Sequence, residues 1–166
     1  KNLSEIDVFS SFPQISRERS YIRPIISDST EFEVKDGRHP IVEISLKASG
    51  NSFVPNDCNL SEISEKHNEN NSITYLITGP NMAGKSTLMR TVALNQILFQ
   101  MGSYVCAASA SFGVADKVLS RIGSADHAAK NQSTFMVEML EMAHILRLAT
   151  PMSLLLLDEI GRGTST

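Results

Sequence analysis

Gly79, Gly84, Lys85 and Ser86 stand in the stretch Thr78-Gly79-Pro80-Asn81-Met82-Ala83-Gly84-Lys85-Ser86-Thr87 with the spacing G-x-x-x-x-G-K-[ST] of a phosphate loop. The chemistry explains the spacing. A nucleoside triphosphate needs a concave ring of backbone N–H donors, and side chains would block its close approach, so glycines bound the turn. A helix that follows aims its free N–H groups and the positive end of its dipole at the same phosphates. Lys85 can reach the β- and γ-phosphates, and the Ser86 hydroxyl can hold Mg²⁺. A chain of this length meets the pattern by chance on the order of once in two hundred. The apolar run before it and the helical pattern after it lower that further.

A second pair of chemical residues lies 73 positions beyond Lys85. Ser153-Leu154-Leu155-Leu156-Leu157 has no polar alternation and reads as a central strand buried on both faces, with Asp158 and Glu159 at its C-terminal end. Ligands of open α/β sheets sit at that end of the strands. Asp158 can complete the Mg²⁺ shell opposite Ser86, and Glu159 can polarise an attacking water. On its own such a segment is commonly just a buried strand ending in solvated carboxylates; the phosphate loop is what favours catalysis.

The elements that must position these groups are legible in outline. Leu3, Ile6, Val8, Phe9 and Phe12 have near-helical spacing, with Pro13 ending or kinking the helix. Residues 1–16 therefore read as the end of a helix arriving from elsewhere, and 17–166 as one α/β domain. Tyr21-Ile22-Arg23-Pro24 is expected to be extended, Glu31–Lys35 a half-buried strand, and Asp36-Gly37 a turn. His39, a lone histidine before a proline, reads as a hydrogen-bonded structural residue rather than a ligand or base. Ser52–Asp57 is a short extended piece in which Phe53, taken alone, is core.

Residues 61–72 are almost purely polar and read as a surface loop leading into a strand at Ile73–Thr78. Leu88, Met89, Val92, Leu94, Ile97, Leu98 and Phe99 cover most of a helix, predicting burial on more than one side, with Gly102 as its C-terminal cap. Short strands are expected at 110–114 and 117–122, then a loop over 123–132. Ser133-Thr134 caps a helix whose methionines read as core filler, with Glu138, Glu141 and Arg147 on a solvated face, and Thr150-Pro151 stops it.

Composition bounds the partners. The 166 residues, 42% hydrophobic, suffice for a core, and the net charge of −3 without a basic run announces no nucleic-acid surface. Cys58 and Cys106 lack metal spacing and read as buried or free thiols of a reducing compartment. No apolar run approaches membrane-spanning length, and no signal peptide opens the chain. It begins at Lys1 rather than Met, so it reads as a piece of something longer.

Together, T-G-P-N-M-A-G-K-S-T at 78–87, S-T-F-M-V-E-M at 133–139 and L-D-E-I-G-R-G-T-S-T at 157–166 closely resemble the MutS mismatch-repair family, as do G-R-H-P at 37–40 and F-V-P-N-D at 53–57. The resemblance runs over nearly the whole chain. It implies a phosphate-loop NTPase of the ABC-ATPase type, with a mixed sheet flanked by helices and truncated at the C-terminus. Such proteins are dimeric, Mg-dependent ATPases that bind mismatched double-stranded DNA and use ATP to become sliding clamps that engage a MutL-type downstream factor.

Carried over residue by residue, Phe53 stacks on the adenine and Asn81 senses the γ-phosphate or positions its water. Gly79, Pro80, Asn81, Met82, Ala83, Gly84, Lys85, Ser86 and Thr87 wrap the phosphates. Asp158 and Glu159 keep the roles above, Ser133 reaches the partner subunit's nucleotide, and residues 1–16 end the lever helix. An intracellular setting is implied, in nucleus, mitochondrion or bacterial cytoplasm, with no membrane.

The 61–72 loop is longer and more polar than in bacterial members, and Cys106 stands where many members have proline. The chain stops before the family's switch histidine and dimerising helix-turn-helix, so it is expected to be inactive as an isolated catalyst. Two alternatives stay open: a generic phosphate-loop enzyme such as a nucleotide kinase, and a nucleotide-gated relative acting in recombination. The acid pair argues against the kinase, which activates its acceptor rather than water. The intact motifs do not indicate a silent scaffold.

Overall fold

The first helix continues through its proline. In the computed structural model, which describes residues 2–60, 74–80, 82–122 and 134–161, helix α1 spans Asn2–Arg19 with Pro13 inside it. Helices tolerate an interior proline by kinking rather than ending. The hydroxyls of Ser10 and Ser11 donate to the Asp7 and Val8 carbonyls, and Gln14 bonds Glu18 one turn on. The chain divides into two compact units, Lys1–Val114 and Ala115–Thr166.

In the first unit the strands are β1 (Ile25–Ser27), β2 (Phe32–Gly37), β3 (Asn56–Asn59) and β4 (Ser109–Gly113). They form one mixed sheet in the order β1-β4-β2-β3, with β1 parallel to β4 and the other pairs antiparallel. The alternation expected at 31–35 is present: Phe32 and Val34 are buried while Lys35 is exposed. The Asp36-Gly37 turn is instead the bulged end of β2. Asp36 takes a left-handed φ of 51°, and its N–H donates to Asp57 Oδ1 at 2.8 Å. Gly37 pairs with Asn56 there, and a Cβ on it would come within 3.0 Å of the Asn56 carbonyl. The stretches 37–40 and 53–57 thus meet across one strand pair.

Arg38 and His39 cap two different helices. Arg38 Nη2 donates to the Arg19 and Ser20 carbonyls at 3.3 and 2.7 Å, closing the C-terminus of α1. His39 Nδ1 accepts from the Val42 N–H at 3.3 Å and caps α2 (Pro40–Ala48), which has Pro40 in its first turn. The structural reading of His39 holds. Burial, with the Arg90 cation second, pushes its pKa below the ordinary 6.5.

The sign follows. The unfolded chain binds the His39 proton first, so the cap's contribution is present above about pH 6.5 and lost as pH falls through the lower folded value. Hydrogen exchange at the α2 amides of the full-length protein, corrected for intrinsic rates, should accelerate on acidification by the equivalent of about 1 kcal/mol. His39→Asn, which keeps an acceptor but cannot titrate, should abolish that pH dependence. An equally pH-dependent Asn variant would refute it.

Helix α3 (Lys85–Gln100) packs on the sheet through a stack of rings: Phe99 and Phe112 centroids are 5.2 Å apart, Phe112 and Phe32 4.9 Å. It ends in a Schellman cap. Gly102, at φ 77°, donates to Phe99 O, and Ser103 donates to Leu98 O. Burial is confined to one face, not several as its apolar coverage suggested: Ile97 and Met101 are exposed. That face also holds polar groups. Asn95 Oδ1 accepts from Cys106 N at 2.8 Å, and Gln96 Nε2 donates to the Gly113 carbonyl at 2.9 Å. These bonds satisfy buried amides and tie the helix to both ends of the segment 106–113. Gly113 admits no side chain, since a Cβ would lie 1.8 Å from Ser29 O. Cys58 and Cys106 are buried free thiols pushed up to about 11 by burial, which keeps them protonated at neutral pH.

Residues 74–80 form no strand, contrary to the expectation at 73–78. A strand exists through ladder bonds to a neighbour, and among the described residues nothing pairs with this segment; Tyr75 and Leu76 are exposed. The expected loops at 61–72 and 123–132 lie outside the described residues.

In the second unit, β5 (Lys117–Arg121) and β6 (Ser153–Leu157) pair in parallel, joined through α4 (Thr134–Leu148). β6 is not a central strand buried on both faces: among the described residues β5 alone flanks it, and of its leucines only Leu156 is fully buried. Asp116 fastens the turn between α4 and β6. It accepts from Thr150 Oγ1, Ser153 Oγ and Lys117 Nζ at 2.7, 2.8 and 3.0 Å, bonds that pull its carboxyl down to about 2. Met136 and Leu140 are exposed rather than core filler. Glu138, expected on the solvated face, is buried at 5% exposure. Glu141 meets Arg121 of β5 at 2.6 Å. Among the described residues no helix is long and apolar enough to cross a membrane.

Candidate active site

The phosphate-loop residues sit where the chain passes from irregular backbone into α3. Gly84 is the residue before the helix, left-handed at φ 92°, and its carbonyl takes the first helical bond from Leu88 N at 2.9 Å. As a glycine, this N-cap residue makes no side-chain cap bond of its own. Among the described residues nothing lies within 4 Å of would-be Cβ atoms on Gly79 and Gly84, and both glycines have positive φ, so they serve backbone conformation.

Lys85 curls back over the loop. Its Nζ donates to the Gly79 and Pro80 carbonyls, both at 2.7 Å, while Ala83 N reaches Pro80 O at 3.3 Å. The loop is thus drawn around its own ammonium. Met82 is fully exposed at φ 66°, a conformation that costs a side-chain-bearing residue about 1 kcal/mol. Ser86 and Thr87 are half-buried in the first turn, and Ala83 is exposed. Phe53 is half-buried between α2 and β3. Asn81 lies outside the described residues.

Asp158 and Glu159 differ in setting. Asp158 N donates to Arg121 O at 2.8 Å, extending the β5–β6 ladder one step, and the residue is buried at 8% exposure. Glu159 turns out of the strand at φ 48° and is exposed. Among the described residues only four non-glycines have positive φ, and Met82 and Glu159 are two of them. Outliers of this kind gather at functional sites. Ser133 lies outside the described residues, immediately before α4 begins at Thr134. One residue that the sequence placed on a solvated face joins the turn after β6: Glu138 Oε1 accepts from Gly161 N at 2.7 Å. Its partner is 23 residues distant, and no local pattern announces such a contact.

The family described as MutS domain V matches residues 75–166. Across 165 residues, 99% of this chain, it is 51% identical to the DNA mismatch repair protein MutS of Rickettsia rickettsii (strain Sheila Smith) and 52% identical to that of Rickettsia bellii (strain OSU 85-389). The chain belongs to the MutS family. It spans 18% of the length of these curated MutS relatives.

Among the described residues no three His, Cys, Asp or Glu side chains gather as a metal cage. Mg²⁺ of nucleotide sites needs only one or two protein oxygens beside phosphates and water. Taken each in its own unit, Ser86 offers a hydroxyl at a helix start and Asp158 a buried carboxylate.

Proposed function

We propose that this chain is the ATP-binding and hydrolysing portion of a MutS-type mismatch repair protein, an ABC-type phosphate-loop ATPase. The observation that carries the proposal is the loop from Gly79 into α3: a left-handed Gly84 before the helix and Lys85 folded onto the loop carbonyls. A polyanion offered to this loop meets the helix dipole, backbone donors and one ammonium. Lys85 would exchange its two carbonyls for phosphate oxygens. Ser86 and Asp158 would hold Mg²⁺, which would supply positive charge beside the phosphates. Glu159 accepts a proton from the attacking water, which Asn81 helps to orient, and Phe53 stacks on the adenine.

The wider setting is part of the same reading. Domains outside this chain grip mismatched DNA, nucleotide state drives conversion to a sliding clamp, and a MutL-type factor follows. The setting is intracellular. A nucleotide kinase would need an acceptor other than water, and the Asp158-Glu159 pair favours water.

Ser133 makes the dimer testable. The helix start after Gly84 would serve its own subunit's phosphates, and the resemblance to the MutS family points Ser133, just before α4, at the partner's nucleotide. Full-length Lys85→Ala and Ser133→Ala should each hydrolyse ATP poorly. After subunit exchange, random pairing makes about half the dimers mixed and one site in each whole, so about a quarter of all sites recover. Steady-state ATPase that only averages the two variants would exclude a shared site.

A further inference from the structure

Glu159 stands in a short turn fixed at both ends. At one end Asp158 N donates to the Arg121 carbonyl of β5 at 2.8 Å. At the other Gly161 N donates to Glu138 Oε1 of α4 at 2.7 Å. Between the anchors the backbone is left-handed at Glu159, φ 48°, and Gly161 follows at φ 82°. A side-chain-bearing residue keeps such a φ only where its surroundings hold it there. The first anchor is main chain and available to any sequence; the second needs a particular side chain. Glu138 is 5% exposed, and burying a carboxylate costs several kcal/mol unless it is bonded, so its place is not incidental.

We infer that Glu138 is a positioning residue for Glu159: by accepting the Gly161 N–H it sets where the Glu159 carboxylate stands for proton transfer. The inference rests on the ATPase reading above. What matters is an acceptor at the reach of a glutamate side chain. The substitution E138Q keeps that reach without the charge, and E138D keeps the charge without the reach.

The test uses the full-length protein with each of these two substitutions. Catalytic groups displaced by about an ångström lose on the order of 10²-fold. E138D should therefore lower kcat by about tenfold or more while KM for Mg-ATP stays within about threefold. E138Q should retain kcat within about threefold. The Gly161 amide should exchange faster in E138D than in wild type, and at the wild-type rate in E138Q. If E138D does not purify folded, E138Q decides alone, and a loss of kcat or of Gly161 protection in it overturns the inference. So does E138D at the wild-type rate, or a KM that rises in step with the fall in kcat. A wild-type protein that neither binds nor hydrolyses ATP overturns this inference and the ATPase reading together. A flat Glu138 series in an active wild type removes this one only.

Discussion

Glu159→Gln in the full-length protein is expected to bind Mg-ATP as the wild type does and to hydrolyse it about 10²- to 10⁴-fold more slowly. On the proposed reading the two acids at the end of β6 divide their labour by environment. Asp158 is buried and continues the strand ladder through its own N–H, which suits a fixed ligand. Glu159 has left the ladder and is exposed, which suits a group that must meet water. The amide keeps the size and hydrogen-bonding reach of the carboxylate but cannot take a proton, so kcat falls while affinity stays. Steady-state hydrolysis beside equilibrium nucleotide binding separates the two. Wild-type turnover by Glu159→Gln would put the base elsewhere.

Lys85→Ala should weaken Mg-ATP binding by about 10²-fold or more. The ammonium makes two short bonds to the Gly79 and Pro80 carbonyls, at 2.7 Å each, and so both shapes the free loop and stands ready for phosphate. Hydrogen bonds to charged groups are worth about 1.5–3 kcal/mol each, and tenfold in affinity is about 1.4 kcal/mol. The free loop already holds two such bonds, so the effect is the surplus of ammonium–phosphate over ammonium–carbonyl pairing. A surplus of about 1.4 kcal/mol at each of two bonds gives about 10²-fold. Lys85→Arg should not rescue binding, because a planar guanidinium cannot occupy the compact place of an ammonium between two carbonyls. Unchanged affinity in calorimetric titration of Lys85→Ala would contradict the role of this loop.

The local chemistry was legible because it is written in contiguous residues. Gly79, Gly84 and Lys85 announce a loop and a helix start, and both Gly84 and the Gly102 cap stand at positive φ as their types foretell. Strands β2, β4 and β5 were legible from alternation and turn residues. Helix α2 was missed although its apolar residues are spaced as on a helix face, Ile41 with Ile44 and Val42 with Leu46; none of its residues is fully buried. Its further signals are at its ends: Pro40 at the start, Glu43 in the first turn, Lys47 in the last. The strand expected before the phosphate loop failed because an apolar run says nothing about which neighbour supplies its hydrogen bonds.

Polar residues inside cores were the other blind spot. Asn95 and Gln96 look like a solvated face of α3 until Cys106 N and the Gly113 carbonyl are seen to be their partners. Glu138 resembles any helical glutamate until Gly161 N is found against it. Each such partner lies 11 to 23 residues away along the chain, where helical spacing carries no information. Of the candidate site, the residue types were plain in the sequence, while the bond from Gly161 to Glu138 of α4 belonged to tertiary structure alone.

The central claim is that this loop and acid pair serve hydrolysis of ATP by water. A single-turnover chemical quench of Mg-ATP bound to the full-length wild-type protein tests it most directly. The account predicts that the bound nucleotide is recovered as ADP with one equivalent of free inorganic phosphate. Recovery of intact ATP alone, or of ADP with the γ-phosphoryl group on an acceptor other than water, would contradict it.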